Sequence, residues 1–284
     1  MKAVKERLVP HSCPVCLSAQ VVFDTSFDSV RLYRCHNCDH CYTDTSQLSG
    51  REAYGPEYFL EVHKNWFENP DFAQFELLRQ RIEGISKQAA VIDVGCGTGN
   101  LLRYLSAKSP NLKLTGLDLI ENTQATTIEY ICCDFLTTDM GRQFDFVATL
   151  HTIEHIEDLD LFMGRLKDVC RTGGQIAITT INERSLLYRT ARLLRGLGIA
   201  FVFERIYGIH HLNHFNFSSL RRLCERSGLE VVKVIGSNIR IESVDIASRN
   251  PVLKPILAFG VSVLFWLGTL TGATYQQTVV CRKP

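Results

Sequence analysis

Short apolar segments alternate with helical or polar segments through the middle of the chain. Five of them lie between residues 89 and 181: AAVIDVG, LKLTGLDL, IEYICCDF, FDFVATL and GGQIAITTI. Apolar runs of this length are typical of strands buried on both faces, and strands that alternate with helices form a parallel sheet. The pattern therefore predicts an α/β fold with a doubly wound, mostly parallel sheet.

Further elements flank these five strands. Phe72, Phe75, Leu78, Ile82 and Ile85 recur every three or four residues, which predicts an amphipathic helix before the first strand. A helix is also predicted from Ser218 to Ser227, followed by the strands LEVVKVIG and TYQQTVVCRK near the end of the chain. With these two strands the predicted sheet has seven strands.

The N-terminal region has a different composition, rich in cysteine and histidine. Cys13 and Cys16 form one C-x2-C pair, and Cys35 and Cys38 form a second. This spacing predicts a zinc-ribbon-like module in residues 1–50, with the four thiolates around one structural Zn²⁺. So small a module buries too little apolar surface to fold without the metal. The alternatives are that His36, His40 or Cys41 replaces one ligand, or that the thiols carry no metal.

Charge and composition narrow the classes of partner and compartment. Apolar residues make up 45% of the chain, charged residues 21%, and the formal net charge is +1. The chain thus lacks a general attraction to nucleic acid, and we expect no nucleic-acid partner. The N-terminal sequence has no apolar core of the secretory type, so we expect the eleven cysteines to lie in the reducing cytoplasm.

The first strand of the predicted sheet leads into a glycine-rich turn. Gly95, Gly97 and Gly99 stand at alternate positions, and Asp93 lies inside the strand just before them. Glycines there let a ligand approach the backbone closely. The spacing G-x-G-x-G differs from the G-x-G-x-x-G of dinucleotide-binding folds. An acidic side chain at this place favours a ligand with a positive amino-acid group over a pyrophosphate.

The next two strands also end in carboxylates. Asp118 ends the second strand, where it could accept hydrogen bonds from ribose hydroxyls, and Asp134 and Phe135 end the third. A carboxylate and a flat apolar ring suit the edge and face of an adenine. Ligands bind at the carboxyl ends of such strands, so these residues predict one nucleoside site.

The motifs DVGCGTGN, GLDL, CDF, FDFVATLHTIEHIED and GGQIAIT together resemble the successive motifs of class I S-adenosylmethionine-dependent methyltransferases. The two cysteine pairs followed by Tyr54 and Tyr58 resemble a zinc-ribbon-bearing subset of that family. The resemblance implies a Rossmann-like methyltransferase fold over residues 88–284. It also implies S-adenosylmethionine bound by Asp93, Gly95, Cys96, Gly97, Gly99, Asp118, Leu119, Asp134 and Phe135, with His151 lining the pocket and Tyr54 and Tyr58 covering it.

Methyl transfer to an oxygen or carbon acceptor needs a general base. The candidates are His151, Glu154, His155 and His214, because histidine titrates near neutrality and these residues belong to the mouth of the predicted sheet or to a later loop. For each one a structural hydrogen-bonding role is the alternative. Residues 151–155 also match the H-x-x-E-H pattern of zinc peptidases, but they follow a buried strand, and this context favours the methyltransferase interpretation.

Residues 51–87 are expected to be a linker and a helix that covers the cofactor site, and residues 183–217 a lid. Within the lid, Arg189, Arg192 and Arg195 recur on one helix face and Leu186, Leu193 and Leu197 on another, which indicates either a cationic membrane-binding helix or a solvated lid. Residues 252–273 are apolar and long enough to cross a bilayer. A crossing would separate the last two strands, so we expect a helix packed on the core or lying at a membrane surface.

These features predict a methyltransferase with a hydrophobic or lipid-linked small-molecule or sugar acceptor, cytoplasmic or at the inner face of a membrane. Two other functions remain open. One is a zinc-containing interaction protein with an inactive methyltransferase-like domain, and the other is a nicotinamide-dependent reductase. The intact Asp93 and Asp118 favour an active methyltransferase. The sequence leaves the acceptor atom and the oligomeric state undetermined.

Overall fold

A computed structural model describes residues 12–28, 30–45, 64–122, 127–208, 210–246 and 252–284. Its strands form one sheet of seven and one sheet of four. Tyr54 and Tyr58, which were predicted to cover the cofactor, lie outside the described residues. The bounds of the strands are β1 Val21–Phe27, β2 Val30–Cys35, β3 Cys41–Thr43, β4 Ala90–Val94, β5 Lys113–Asp118, β6 Glu129–Cys132, β7 Phe144–Leu150, β8 Cys170–Ile181, β9 Asn213–His214, β10 Glu230–Ser237 and β11 Gln276–Arg282.

The helices lie between these strands and cover both faces of the larger sheet. Their bounds are α1 Lys64–Glu68, α2 Phe72–Ile85, α3 Asn100–Lys108, α4 Leu159–Val169, α5 Leu186–Gly196, α6 Phe201–Ile206, α7 Phe217–Arg226 and α8 Leu253–Thr271. The amphipathic helix predicted from Phe72 to Ile85 is α2, and its Asp71 cap accepts a hydrogen bond from the Gln74 amide. The helix predicted at Ser218 is α7, which begins with a capping box between Asn216 and Ser219.

The larger sheet has the strand order β10-β11-β8-β7-β4-β5-β6. Strands β8, β7, β4, β5 and β6 run parallel, and β11 is antiparallel to both of its neighbours. All seven predicted strands are present, so the predicted fold is confirmed. Side chains at the centre, such as Ile92, Phe146 and Ile178, have no exposed surface, as expected for a sheet covered on both faces.

The smaller sheet joins the N-terminal residues to the lid. Strands β1, β2 and β3 form an antiparallel meander. Strand β9, from the predicted lid, pairs with β3 and is the fourth strand of this sheet. The term ribbon is used below for residues 12–45. The ribbon therefore packs on the larger domain through backbone pairing, which the sequence pattern did not predict. The rest of the lid is formed mainly by the helices α5 and α6.

Two of the three predicted arginines of α5 point into the molecule. Arg192 pairs with Asp24 of β1 and with Glu183, and Arg195 donates to the carbonyl of Ser26. The hypothesis of a membrane-binding cationic face is therefore wrong for Arg192 and Arg195, because the ribbon occupies their side of the helix, whereas Arg189 is exposed. Leu193 and Leu197 are also exposed, at 65% and 71%.

Helix α8 is the predicted apolar segment, and it connects β10 to β11. Among the described helices it is the one with the length and composition to cross a membrane. Its buried residues are Phe265 and Gly268, and most of its remaining length is exposed. Because β10 and β11 are paired in one sheet, the two ends of α8 lie on the same side of any surface that the helix contacts.

Candidate functional site

The predicted glycine turn lies between β4 and α3, at the carboxyl edge of the sheet. Gly95, Gly97 and Gly99 all have positive φ angles of 75°, 52° and 76°, a backbone conformation that favours glycine. A Cβ atom at Gly99 would lie 2.2 Å from the Tyr130 hydroxyl, and one at Gly95 would lie 2.2 Å from Thr152 Oγ1. The turn is therefore fixed both by its dihedral angles and by close neighbours.

Asp93 is the buried carboxylate of this site. Its side chain ends β4 and is 3% exposed, and Oδ1 has no hydrogen-bond partner among the described residues. Burial, with the nearby charge of Asp118, raises the pKa of Asp93 to about 7. A buried carboxylate without a partner is costly unless a ligand supplies a cation or donors. This geometry fits the amino group of an amino-acid moiety.

Asp118 ends the neighbouring strand, β5, and is held toward the glycine turn. Its Oδ2 accepts from the Gly97 amide at 2.8 Å, and Oδ1 accepts from the Ile120 amide at 3.2 Å. Burial raises the pKa of Asp118, and these backbone amides oppose that rise. Each oxygen keeps a further lone pair, so the carboxylate can still accept from a ribose diol. Leu119 beside it is 58% exposed and offers a free apolar surface.

At the end of the third predicted strand one candidate is exposed and the other is buried. Asp134 is exposed, and its Oδ1 accepts from the Leu136 amide at 2.8 Å, which leaves the other oxygen accessible to a ligand. Phe135 is 6% exposed, and its ring packs edge to face on Phe162 within the core. Cys96 in the glycine turn is also mostly buried, at 9% exposure. These residues lie at the edge of the site. Among the apolar side chains named here, Leu119 is the most exposed, so it offers more apolar surface to a ligand than Phe135 or Cys96.

His151 follows β7 and stands across the sheet edge from the glycine turn. Its φ of 54° is unusual for a non-glycine residue, and its Nδ1 lies 3.3 Å from Glu154 Oε1. Glu154 is 2% exposed, and its other oxygen accepts from Thr180 Oγ1 at 2.8 Å. Burial alone would raise the pKa of Glu154, but the hydrogen bond and charge of His151 lower it to about 2. Glu154 is therefore ionised and orients the imidazole.

Two contacts of His151 come from residues that sequence reasoning missed. Gln276 of β11 places Oε1 at 3.1 Å from His151 Nε2, and its amide nitrogen donates to Asp71 and Ser237. The Trp66 ring of α1 stands edge to face with His151 at 4.5 Å. Because Phe67 of the same helix accepts through its carbonyl from Asn100 at 2.9 Å, α1 lies between the glycine turn and His151.

His155 and His214 lie deeper, toward the ribbon. Burial, with the nearby His211, lowers the pKa of His155 to about 4, so this imidazole is neutral at pH 7. His214 in β9 is 4% exposed and has a pKa well below its usual value because of burial. Glu154, His211 and His214 line a small cavity of ≈ 10 Å³, far below the usual size of a ligand pocket. The structure thus groups His151 with the glycine turn and His214 with the ribbon.

The four ribbon cysteines converge, as the spacing predicted. Cys13 Sγ lies 3.6 Å from Cys38 Sγ, and Cys16 Sγ lies 3.5 Å from Cys35 Sγ; all four sulfurs lie within 4.8 Å of one another. Edges of about 3.8 Å are expected for four thiolates around Zn²⁺ at about 2.3 Å each. The turns match: Leu17 and Asp39, each directly after the second cysteine of its pair, have φ angles of 60° and 58°. The described thiols form no disulfide, and their geometry fits a tetrahedral metal.

Comparisons with known proteins identify the family of this chain. A family model of the methyltransferase domain matches residues 66–234. The chain is 32% identical over 156 residues to a mitochondrial ubiquinone biosynthesis O-methyltransferase from Dictyostelium discoideum, covering 47% of this chain and 46% of that protein. It is 25% identical over 201 residues to a ubiquinone biosynthesis O-methyltransferase from Aromatoleum aromaticum, covering 63% of this chain and 82% of the relative.

A solved structure shows the same fold. Phosphoethanolamine N-methyltransferase 2 from Haemonchus contortus, in complex with S-adenosyl-L-methionine, superposes with a TM-score of 0.54 at 16% identity. The match covers 83% of this chain and 61% of that one. At this identity the likeness concerns the fold alone. The chain spans about half of the Dictyostelium relative and most of the Aromatoleum relative. Neither match establishes the methyl acceptor of this chain.

Proposed function

This chain belongs to the methyltransferase-domain family, and from that premise we propose that it transfers the methyl group of S-adenosylmethionine to an apolar small-molecule acceptor. The observation that carries the proposal is the buried carboxylate of Asp93, which lies beside a glycine turn and whose Oδ1 has no hydrogen-bond partner among the described residues. The donor, when bound, supplies an electrophilic methyl group on a positively charged sulfur. All other steps fall to the protein's own side chains.

On the donor side, the protein binds and orients S-adenosylmethionine. Asp93 would hold the amino group, Asp118 the ribose hydroxyls, and the backbone of Gly97 and Gly99 the chain between them. Leu119 would cover one face of the adenine and Asp134 its edge. Helix α1 would exclude water from the side of the sheet edge where Trp66 stands against His151. Such fixed placement lowers the barrier by holding the reacting atoms in line.

On the acceptor side, we assign the general base to His151. The ionised Glu154 holds a proton on Nδ1 and leaves Nε2 as the basic nitrogen. Gln276 Oε1 lies 3.1 Å from Nε2, so the acceptor hydroxyl has to displace this oxygen before Nε2 can take its proton. The ionised Glu154 then stabilises the imidazolium that forms. This base suits an oxygen acceptor, and the relatives named for ubiquinone biosynthesis O-methylation support one. His155 and His214 then have positioning roles.

We assign a structural Zn²⁺ to Cys13, Cys16, Cys35 and Cys38. Four thiolates fill the coordination shell and leave no position for an acceptor or a water molecule. The metal would therefore supply folding free energy to the ribbon and take no part in the transfer.

The proposed acceptor is lipid-soluble or lipid-linked, and the support is the surface of α8. Ile256, Phe259, Val263, Trp266 and Leu270 form one stripe along the helix, each between 36% and 72% exposed. From Pro255 to Cys281 the sequence carries no charge. A helix that is apolar on all sides normally lies in a protein core or in lipid, and the core covers little of this one.

The topology of the sheet decides how α8 would meet a membrane. A crossing would place β10 and β11 on opposite sides, yet they pair along their length. We therefore propose that α8 lies flat in the interface of a membrane, with the chain at the inner, cytoplasmic face. Helix α5 packs beside α8, and the connection from α5 to α6 exposes Leu197, Ile199 and Phe201 in addition.

Binding measurements test the proposed donor and the proposed metal separately. Titration calorimetry of the full-length protein should show S-adenosylmethionine binding with a Kd on the order of micromolar and no binding of NADH. The metal content of the same sample should be about one zinc per chain. A folded sample that binds no S-adenosylmethionine would favour the inactive interaction protein, and binding of NADH alone would favour a reductase.

Vesicle flotation tests the membrane surface. The wild-type protein should float with vesicles of mixed neutral and anionic lipid, and the double variant Phe259→Asp/Trp266→Asp should remain in the bottom fraction of the gradient. Leu161→Asp is the matched control, since Leu161 is 43% exposed on α4 at a distance in sequence from α8, and this variant should float. A wild-type protein that ignores vesicles of any charge contradicts the proposal, as does a stable dimer that Trp266→Asp dissociates.

A further inference from the structure

The ribbon makes backbone hydrogen bonds to one segment of the larger domain. This segment, residues 210–216, runs from the end of the lid helices to the cap of α7 and contains β9. Thr43 of β3 donates its amide to the Leu212 carbonyl at 2.8 Å and its hydroxyl to the His211 carbonyl at 3.0 Å. The pairing then continues between Cys41 and His214. The segment is thus the outer strand of the ribbon's sheet.

The same segment contacts the turn that carries Glu154. The Leu212 amide donates to the Glu154 carbonyl at 2.7 Å, and Asn213 Nδ2 donates to the Ile156 carbonyl at 2.6 Å. Leu212 therefore makes a backbone hydrogen bond to the ribbon through its carbonyl and to the Glu154 turn through its amide. A single residue connects strand β3 to the element that orients His151.

Side chains beside the cysteine ligands strengthen this connection. The His40 ring has no exposed surface, and its Nε2 lies 3.2 Å from Asn213 Oδ1. Asn216 Nδ2 donates to the Asp39 carbonyl at 2.8 Å. Asp39 and His40 directly follow Cys38, so their positions depend on the turn that the second cysteine pair forms.

We infer that the ribbon is a positioning element for the acceptor side of the site: a metal held by its cysteines fixes β3, β3 fixes residues 210–216, and these fix the turn that carries Glu154. The donor side depends less on this connection, because Asp93, Asp118 and the glycine turn belong to β4, β5 and their loops. They meet the Glu154 turn through Thr152, which lies against Gly95 and donates its hydroxyl to the Val94 carbonyl. The inference rests on the proposed function only in assigning Glu154 and His151 to the acceptor side.

A prediction separates this role from general stabilisation. Without metal, the ribbon loses its turns, and residues 152–156 and 210–216 lose protection while the core strands keep theirs. Affinity for S-adenosylmethionine then stays within about threefold, a change of less than 1 kcal/mol. A purely structural ribbon would lower protection throughout the sheet, and donor affinity with it.

The experiment is hydrogen exchange on the full-length protein, as purified and as the variant Cys16→Ser, with zinc content and S-adenosylmethionine binding measured on both. Cys170→Ser is the control, because this cysteine is equally a thiol but lies outside the ribbon. We expect loss of zinc in Cys16→Ser and exchange at least about tenfold faster in the peptides that cover residues 152–156 and 210–216. Unchanged exchange there after loss of the metal would overturn the inference.

A second variant keeps the test valid if the metal-free protein does not fold. Asn213→Ala leaves all four cysteines in place but removes the hydrogen bonds to Ile156 and His40. It should retain zinc and bind S-adenosylmethionine while exchange rises in residues 152–156. Equal protection in this variant and the wild type contradicts the inference. A wild-type protein that binds no S-adenosylmethionine contradicts the proposed function instead, and the exchange data still decide the inference.

Discussion

Arg34 of the ribbon lies 2.7 Å from Glu183, the residue that follows β8 at the beginning of the lid. Glu183 is 1% exposed and also accepts from Arg192 at 2.9 Å and from the Tyr207 hydroxyl at 2.6 Å. A buried carboxylate between two guanidinium groups is stable only while its partners remain. Glu183 is therefore the most buried carboxylate of a charge network between the ribbon and residues 183–207, in which Asp24 pairs with the same two arginines.

Glu183→Ala should lower the free energy of unfolding by about 3 kcal/mol, because it removes the most buried carboxylate that Arg34 and Arg192 share, while Asp24 still pairs with both. Denaturant unfolding measures this loss. Glu230→Ala is the matched control, since Glu230 pairs with Arg282 at the surface with both side chains about half exposed, and should cost less than about 1 kcal/mol. Equal losses for the two variants would show that the Glu183 network contributes no more than a surface pair.

Binding of S-adenosylmethionine should weaken as the pH falls below 7. In the free protein the pKa of Asp93 is raised to about 7, so below that pH the carboxyl is protonated, whereas a bound amino cation requires it ionised. Binding must then release a proton, and the Kd should rise by roughly tenfold for each pH unit below 7 and level off above it. Calorimetry between pH 5.5 and 8.5 (a range of about three units around that pKa) measures this.

Asp93→Asn is the control for that dependence. The amide does not titrate, so the variant should bind more weakly at pH 8 and show a nearly flat profile. The prediction fails if the wild-type Kd is independent of pH, or if Asp93→Asn keeps the wild-type slope.

The sequence predicted that the glycine turn, Asp93 and Asp118 lie together at one edge of the sheet, because these residues are close in the chain. Gly95, Gly97 and Gly99 have positive φ angles, and glycines at alternate positions in the sequence indicate such a turn. Asp93 and Asp118 lie near the ends of strands that apolar runs predict. Parallel strands bring such ends together at one sheet edge. The hydrophobic pattern and the topology were therefore sufficient to predict this arrangement, and its role in binding the donor stays a prediction.

The contacts that the sequence did not predict join distant residues. Gln276 contacts His151 across 125 positions, and nothing in TYQQTVVCRK distinguishes Gln276 from its neighbour Gln277. Strand β9 has two residues and no apolar alternation, so its pairing with β3 had no local signal. Helical periodicity placed Arg192 and Arg195 on one face, but it does not say which neighbour that face meets, and the ribbon was there instead of lipid.

Gly99→Ala should abolish binding of S-adenosylmethionine. A Cβ atom would lie 2.2 Å from the Tyr130 hydroxyl, so the turn or the tyrosine must move. Gly141→Ala is the matched control: its φ is also positive, at 60°, but no atom lies within 4 Å of the added Cβ. Both variants should lose about 1 kcal/mol of stability from the backbone conformation, and only Gly99→Ala should lose binding in calorimetry. Retained affinity in Gly99→Ala would show that the turn does not cradle the donor.

Glu154→Gln should lower the rate of methyl transfer by about 10²- to 10⁴-fold while leaving donor affinity within about threefold. The amide keeps the size of the carboxylate and its contact with Thr180, but it no longer holds the proton on His151 Nδ1, so Nε2 becomes a weaker base. Initial rates with radiolabelled S-adenosylmethionine and an apolar phenol test this. Glu157→Gln, in the same loop but exposed, is the control and should keep the wild-type rate. If both variants are equally active, His151 does not act as a base oriented by Glu154; if Glu154→Gln loses donor affinity as well, its role is structural.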